Sequence, residues 1–301
     1  VAHGLVEGGA VVSDATFTSL LLAHARLLTT RRPGLAPGAT LPRLERGARG
    51  VAADPSWLAR YRRVCGLADD GALPTLAPQL MAAPLHLALL ADPAFPIPAM
   101  GIVHVANRTE ERVRLPAGAA LDLVARVAGS REAPLGVEID LVTEATLDGA
   151  IVWRTTTTAL ARRRGEKGGA RTKREESAAG VEGAALRSAV VRVAEDTGRR
   201  YARIAGDLNP IHQRAWMARP FGFRTAIVHG TWTVARALAE CADDLPPWPR
   251  AVEVRFRKPV PLPSSVVVSA WKREGGALDI TVSPPKGGTA HVEIRVAPLA
   301  S

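Results

Sequence analysis

Aromatic residues, cysteine and acidic charge are all scarce in this chain. Only 4% of its 301 residues are aromatic, poor material for the stacking platforms on which unpaired bases are read. Its two cysteines, Cys65 and Cys241, stand far apart without metal-type spacing. That argues against a disulfide framework and suits a reducing compartment. No apolar run approaches the roughly 18 residues needed to cross a bilayer. The longest, around residues 18–28 and 85–90, are short or interrupted by His24, Arg26 and His86. No amino-terminal stretch orders a basic region, an apolar run and a cleavage site, so secretion is not expected. The cytoplasm is the expected compartment, with no membrane partner.

The shortage of acid leaves 39 Lys and Arg against 29 Asp and Glu, a formal charge of +10. Such an excess asks for an anionic partner. Part of it is local. Residues 162–180 read RRRGEKGGARTKREESAAG, a run without apolar periodicity and with too little hydrophobic mass to repay ordering. It is expected to be a basic linker between an amino-terminal domain, residues 1–161, and a carboxy-terminal domain, residues 181–301. Limited proteolysis should cut it first; a protected core strand there would displace the boundary. A nucleic-acid reading of the run is the weaker one, testable by deleting residues 162–174 and measuring binding.

Each side of the linker shows a helical segment followed by β-rich runs, although no pairwise sequence repeat is visible. In the first half a helix is expected over residues 77–90, with Pro78 in its first turn and Pro84 kinking it. Strands follow near 101–107, 120–128, 136–146 and 151–160. In the second half a short strand at Val190–Val193 leads to a helix over 228–242. Strands near 251–256, 265–271, 277–283 and 289–296 follow. Within the first of these, Val252, Val254 and Phe256 alternate with Glu253 and Arg255, the period of a half-buried strand. One helix and an antiparallel meander, twice over, is an α+β architecture.

The segment YARIAGDLNPIH, Tyr201–His212, carries the chemistry. Asn209 and Pro210 form a helix start, Asn as cap and Pro at the first position. His212 then falls in the first turn, where the helix macrodipole is expected to favour neutral imidazole, the form that accepts a proton. Asp207 sits five residues earlier, after Gly206. A loop-to-helix turn can aim carboxylate and imidazole at one point, though Asp207 could equally cap a turn and His212 lie at the surface. Seventeen residues on, Ile227–Val228–His229–Gly230 enters an apolar-periodic stretch. Gly230 there offers an unobstructed N–H suited to an oxyanion, or else it is a packing glycine. His229 is a candidate second base, but with no partner visible in the sequence it is read as structural.

Together these residues resemble the hydratase signature of the MaoC-like, (R)-specific enoyl-thioester hydratases, most closely across about residues 190–268. The resemblance implies a double hot-dog, two antiparallel sheets each wrapped around a central helix. It implies reversible hydration of trans-2-enoyl thioesters in fatty-acyl metabolism, a hydro-lyase activity. Asp207 and His212 become the acid/base pair, Gly230 the oxyanion donor, and Asn209 the brace of the catalytic loop. The first half lacks the motif, so one active site per chain is implied, with that half shaping the acyl pocket. No metal or redox cofactor is required; coenzyme A or acyl carrier protein enters as part of the substrate, and homo-oligomerisation is left open. Arg255, Arg257 and Lys258 are candidate phosphate contacts or a solvated strand face. Two alternatives remain: an acyl thioesterase on the same fold, and a non-catalytic subunit of a hydratase complex.

Overall fold

A computed structural model describes residues 5–6, 11–12, 32–36, 38–98, 102–162 and 184–299. Apart from Arg162, the expected linker lies outside the described residues.

The chain begins with two short strands, β1 (Leu5–Val6) and β2 (Val11–Val12), both parallel to β3 (Glu45–Ala53). Helix α1 (Pro55–Cys65) follows, then α2 (Ala77–Met81), α3 (Ala83–Ala91) and four strands. These are β4 (Ile102–Glu111), β5 (Leu121–Ala133), β6 (Gly136–Leu147) and β7 (Ala150–Arg162). The second half holds β8 (Arg187–Val193), α4 (Thr197–Ala205), α5 (Ala215–Ala218) and α6 (Gly230–Glu240). It ends with β9 (Arg250–Phe256), β10 (Ser264–Lys272), β11 (Leu278–Ser283) and β12 (Val292–Pro298).

Among the described residues the strands form one twelve-stranded sheet, ordered β1-β3-β5-β6-β7-β4-β9-β12-β11-β10-β8 with β2 also on β3. Counting from β3 in one half and β8 in the other, both halves have the strand order first-third-fourth-fifth-second. They meet through their second strands, β4 and β9, paired antiparallel from Ala106↔Arg255 to Glu111↔Arg250. An antiparallel pair of equivalent strands places a local two-fold axis at its centre. This is the double hot-dog, with the helices of each unit laid on its sheet.

The two-fold exposes a repeat that sequence inspection passes over. Tyr61-Arg-Arg63-Val64-Cys-Gly66 at the end of α1 matches Tyr201-Ala-Arg203-Ile204-Ala-Gly206 at the end of α4. Gly66 and Gly206 both terminate their helices in the left-handed region, at φ 68° and 64°. The two tyrosine rings lie 6.3 Å apart. Trp57 Nε1 donates to the Ile204 carbonyl at 3.2 Å, and Trp232 Nε1 donates to the Val64 carbonyl at 3.0 Å. In the first copy Leu67 stands at the position of Asp207 and Ala72 at that of His212. That half therefore lacks the carboxylate and the imidazole, and buttresses the end of α4 through Trp57.

Two expectations need correction. The helix over 77–90 is two helices broken at Ala82, because Pro84 has no N–H to continue the ladder and fits instead as an opening residue of α3. Helix α1 and strand β3 were not expected at all, yet α1 has an orderly start: Asp54 caps the N–H groups of Ser56 and Trp57.

The interior differs between the units. In the second, the helix-facing strand positions are apolar, with Val252, Val254, Ile280 and Ile294 all buried. In the first, a hydrogen-bonded seam crosses the helix–sheet interface. Asn107 Nδ2 donates to Gln79 Oε1 and Thr157 Oγ1, while its Oδ1 accepts from Thr109 and Thr155. Nearby, His86 Nε2 meets Thr143 Oγ1 at 2.7 Å. Among the described residues no helix is long and apolar enough to cross a membrane.

Candidate active site

The site forms where two segments, 207–212 and 227–230, are zipped together. Ile227 N donates to the Ile211 carbonyl at 3.0 Å, and Val228 N donates to the Val260 carbonyl at 3.0 Å. Gly206 turns the chain out of α4 and sets Asp207 at the rim, half-exposed. The N–H of Asn209 donates to Asp207 Oδ1 at 3.1 Å, leaving Oδ2 to face the interior. Asn209 Oδ1 in turn accepts from Ile211 N at 3.3 Å, so the asparagine braces the turn.

His212 is buried rather than superficial. Its Nδ1 lies 2.8 Å from the Ile227 carbonyl. A carbonyl only accepts, so Nδ1 carries the hydrogen and Nε2 keeps a lone pair. That lone pair looks toward Asp207 Oδ2 across 3.7 Å. The gap is too long for a direct hydrogen bond and lets a water bridge the two groups. Burial holds His212 below its ordinary value, against the smaller opposing pull of Asp207. The macrodipole expected to act here is absent: Pro210–His212 is a single three-residue 3₁₀ turn, and desolvation keeps the ring neutral.

His229, read from the sequence as structural, lies within the cluster. Its ring stacks on His212 with centroids 3.7 Å apart, and Tyr201 backs it at 5.1 Å. Its Nε2 lies 3.1 Å from the Asp207 carbonyl and 3.7 Å from Oδ2. Burial, then the His212 ring, push it down to about 3. The only sequence signal was its place before Gly230; its partners come from tertiary pairing.

Gly230 opens α6, where its N–H lies beyond the reach of intrahelical acceptors. A Cβ there would sit 2.6 Å from the Phe256 ring, so close packing also demands glycine. The oxyanion and packing roles are compatible at this residue. Of the basic residues proposed beside phosphate, Arg257 is paired with Glu293 at 2.9 Å and Lys258 is exposed.

Ligating atoms of Asp207, His212 and His229 all lie within 4.8 Å of one another, a set able to hold a divalent ion. His229 would first have to release the Asp207 carbonyl. The arrangement as it stands suits proton transfer: a neutral imidazole with an inward lone pair, a carboxylate at water-bridging distance, and a helix-start N–H beside them.

These imidazoles also set an acid limit on stability. His86 and His104 are pushed by burial to about 4, His229 to about 3, and His212 downward. All have folded values below the ordinary 6.5, so the unfolded chain binds more protons as pH falls through that value. Stability is therefore full above about pH 6.5 and declines toward about pH 4. Urea midpoints should drop steadily over that window; a flat profile would mean these rings are accessible to protons in the folded state.

A family model described as a MaoC like domain matches residues 176–290. The 3-hydroxyacyl-thioester dehydratase X of Mycobacterium tuberculosis is 31% identical over 243 residues, covering 81% of this chain and 85% of that protein. The crystal structure of HtdX from the same organism superposes with a TM-score of 0.71 at 30% identity, covering 86% of this chain and 99% of the other. The peroxisomal multifunctional enzyme type 2 of Drosophila melanogaster is 41% identical over 83 residues, 26% of this chain and 14% of that one. With its double hot-dog, with Tyr201–Gly230 inside the matched region and with a 31% identical dehydratase covered to 85%, the chain belongs to the MaoC-like dehydratase family.

Proposed function

We propose that the protein adds water reversibly across the C2–C3 double bond of trans-2-enoyl thioesters, with Asp207 and His212 as the acid/base pair. The observation that carries this reading is the 3.7 Å gap between His212 Nε2 and Asp207 Oδ2, closed on one side by the start of α6. A water held in that gap has its proton facing a lone pair and its oxygen free to attack C3. As the C3–O bond forms, electrons move through C2 to the thioester oxygen, and the Gly230 N–H receives the developing charge. The pair takes one proton from water and returns one to C2, so its protonation is unchanged after each turnover. Such a pair titrates as a unit. Dehydration retraces the path. His229, neutral and stacked, fixes the face of His212 without exchanging a proton. Asn209 keeps Asp207 Oδ2 aimed inward.

The substrate's coenzyme A or carrier-protein phosphates give the excess positive charge an anionic partner. Cytoplasmic residence fits the two buried, unpaired thiols, Cys65 and Cys241. In this reading no step uses a metal. Chelation should leave the rate unchanged; loss on chelation with recovery on adding a divalent ion would reassign the three ligating groups.

The experiment separating this function from thioester cleavage follows two signals during incubation with crotonyl- and longer enoyl-coenzyme A. Hydration removes enoyl absorbance and releases no thiol. Stoichiometric free thiol would make the protein a thioesterase, and silence in both would make it a non-catalytic subunit.

A further inference from the structure

We infer that the amino-terminal unit holds a chamber for an acyl chain bearing a hydroxyl group, received by Nε2 of His104. The inference rests on the hydration reading for its substrate and on a separate set of contacts for its site. From Gly230 the contacts lead away from the acid/base pair: a Gly230 Cβ would touch Phe256, and the Phe256 ring packs against His104 with centroids 4.6 Å apart and the planes tilted at 47°. His86 stands close enough to His104 for its charge to disfavour that of His104, and His86 is held by Thr143 on β6. This line runs from the reacting centre into the first unit, beneath the broken α2–α3 helix. It ends at the hydrogen-bonded helix–sheet interface of the first unit.

His104 is the member of that line left without a partner. Its Nε2 is buried and makes no hydrogen bond among the described residues, while the Ala106 backbone engages the ring. Burial pushes His104 down to about 4, so the ring is neutral. With its other nitrogen on the backbone, Nε2 carries a lone pair. A buried acceptor without a donor is costly and rare, and calls for a function. Nε2 can take only a donor, which excludes a plain methylene chain and a carbonyl and selects an O–H. The neighbouring Gln79–Asn107–Thr157 seam is already internally satisfied, which leaves His104 as the open position. The pantetheine arm is the other donor-bearing part of the substrate. It must remain joined to a coenzyme or carrier in solvent, whereas this line leads inward.

The test compares trans-2-enoyl thioesters of equal chain length, unsubstituted or with a hydroxyl stepped from C5 to the terminus. At least one hydroxylated chain should exceed the plain chain by about tenfold in kcat/KM, because only it satisfies the buried acceptor. His104→Phe should bring that ratio toward one, mainly through KM, and His104→Gln, which restores an acceptor oxygen, should keep part of it. Calorimetric binding of saturated hydroxyacyl and plain acyl thioesters should give the same ratios without turnover. The inference thus remains measurable if hydration itself is not observed. No preference at any position, or a preference that survives in His104→Phe, would overturn it. So would an equal loss for every thioester, crotonyl included, which would assign His104 to the pantetheine amides or to packing.

Discussion

Asp207→Asn and His212→Ala should each slow hydration of a trans-2-enoyl thioester by about a hundredfold or more, the scale of a positioned acid or base. Asp207→Asn preserves size and the bond from the Asn209 N–H, which any side-chain oxygen at that position can accept. It removes the exchangeable proton. Its carboxylate is 47% exposed, so stability should change little. His212→Ala removes the inward lone pair together with a ring stacked on His229, and a modest fall in thermal midpoint should accompany it. The double variant should be far less impaired than the product of the single losses, because residues that act as one unit are not additive. Near-normal turnover in either folded single variant would sink the pair. A collapse of folding in Asp207→Asn would make the motif a structural turn.

Arg250→Ala should cost about 3–5 kcal/mol of stability, the usual result of leaving one member of a buried ion pair uncompensated. Arg250 and Glu111 face each other at the end of the β4–β9 register, Nε to Oε2 at 2.7 Å, with each side chain only 6% exposed. Thr75 bonds both, and the guanidinium lies 4.1 Å from the centre of the Trp248 ring. The pair therefore fastens the two units at their seam. Replacing both, as Arg250→Met with Glu111→Leu, should recover most of the loss, since neither charge is then stranded. Denaturant melts settle it: a single variant within about 1 kcal/mol of wild type would show that water reaches the pair.

What the sequence made legible was whatever depends on local spacing. Strand β9 follows from its alternating valines, α6 from its apolar period, and the Asp207–His212 loop from six residue types at fixed intervals. Three features were not legible, each for a non-local reason. His229 joins the cluster only because Ile227 pairs with Ile211, an event between segments sixteen residues apart. His212 owes its neutrality to burial, which no helix-start argument supplies. The Tyr61 and Tyr201 repeats became visible once the strand order matched the halves, because the positions of Asp207 and His212, which would have drawn attention, hold Leu67 and Ala72 in the first copy. Helix α1 is a different case. Asp54, Pro55 and Gly66 mark its ends, but its buried Trp57, Leu58, Tyr61 and Cys65 are interspersed with arginines.

Addition of water at C3, within the gap between Asp207 and His212, leaves an isotopic record. Hydration run in heavy-oxygen water and followed by mass spectrometry should put one heavy oxygen at C3 of an intact 3-hydroxyacyl thioester, with formation of that product lost in Asp207→Asn. Label in a released carboxylate, with the double bond retained, would show attack at the carbonyl instead and refute the mechanism.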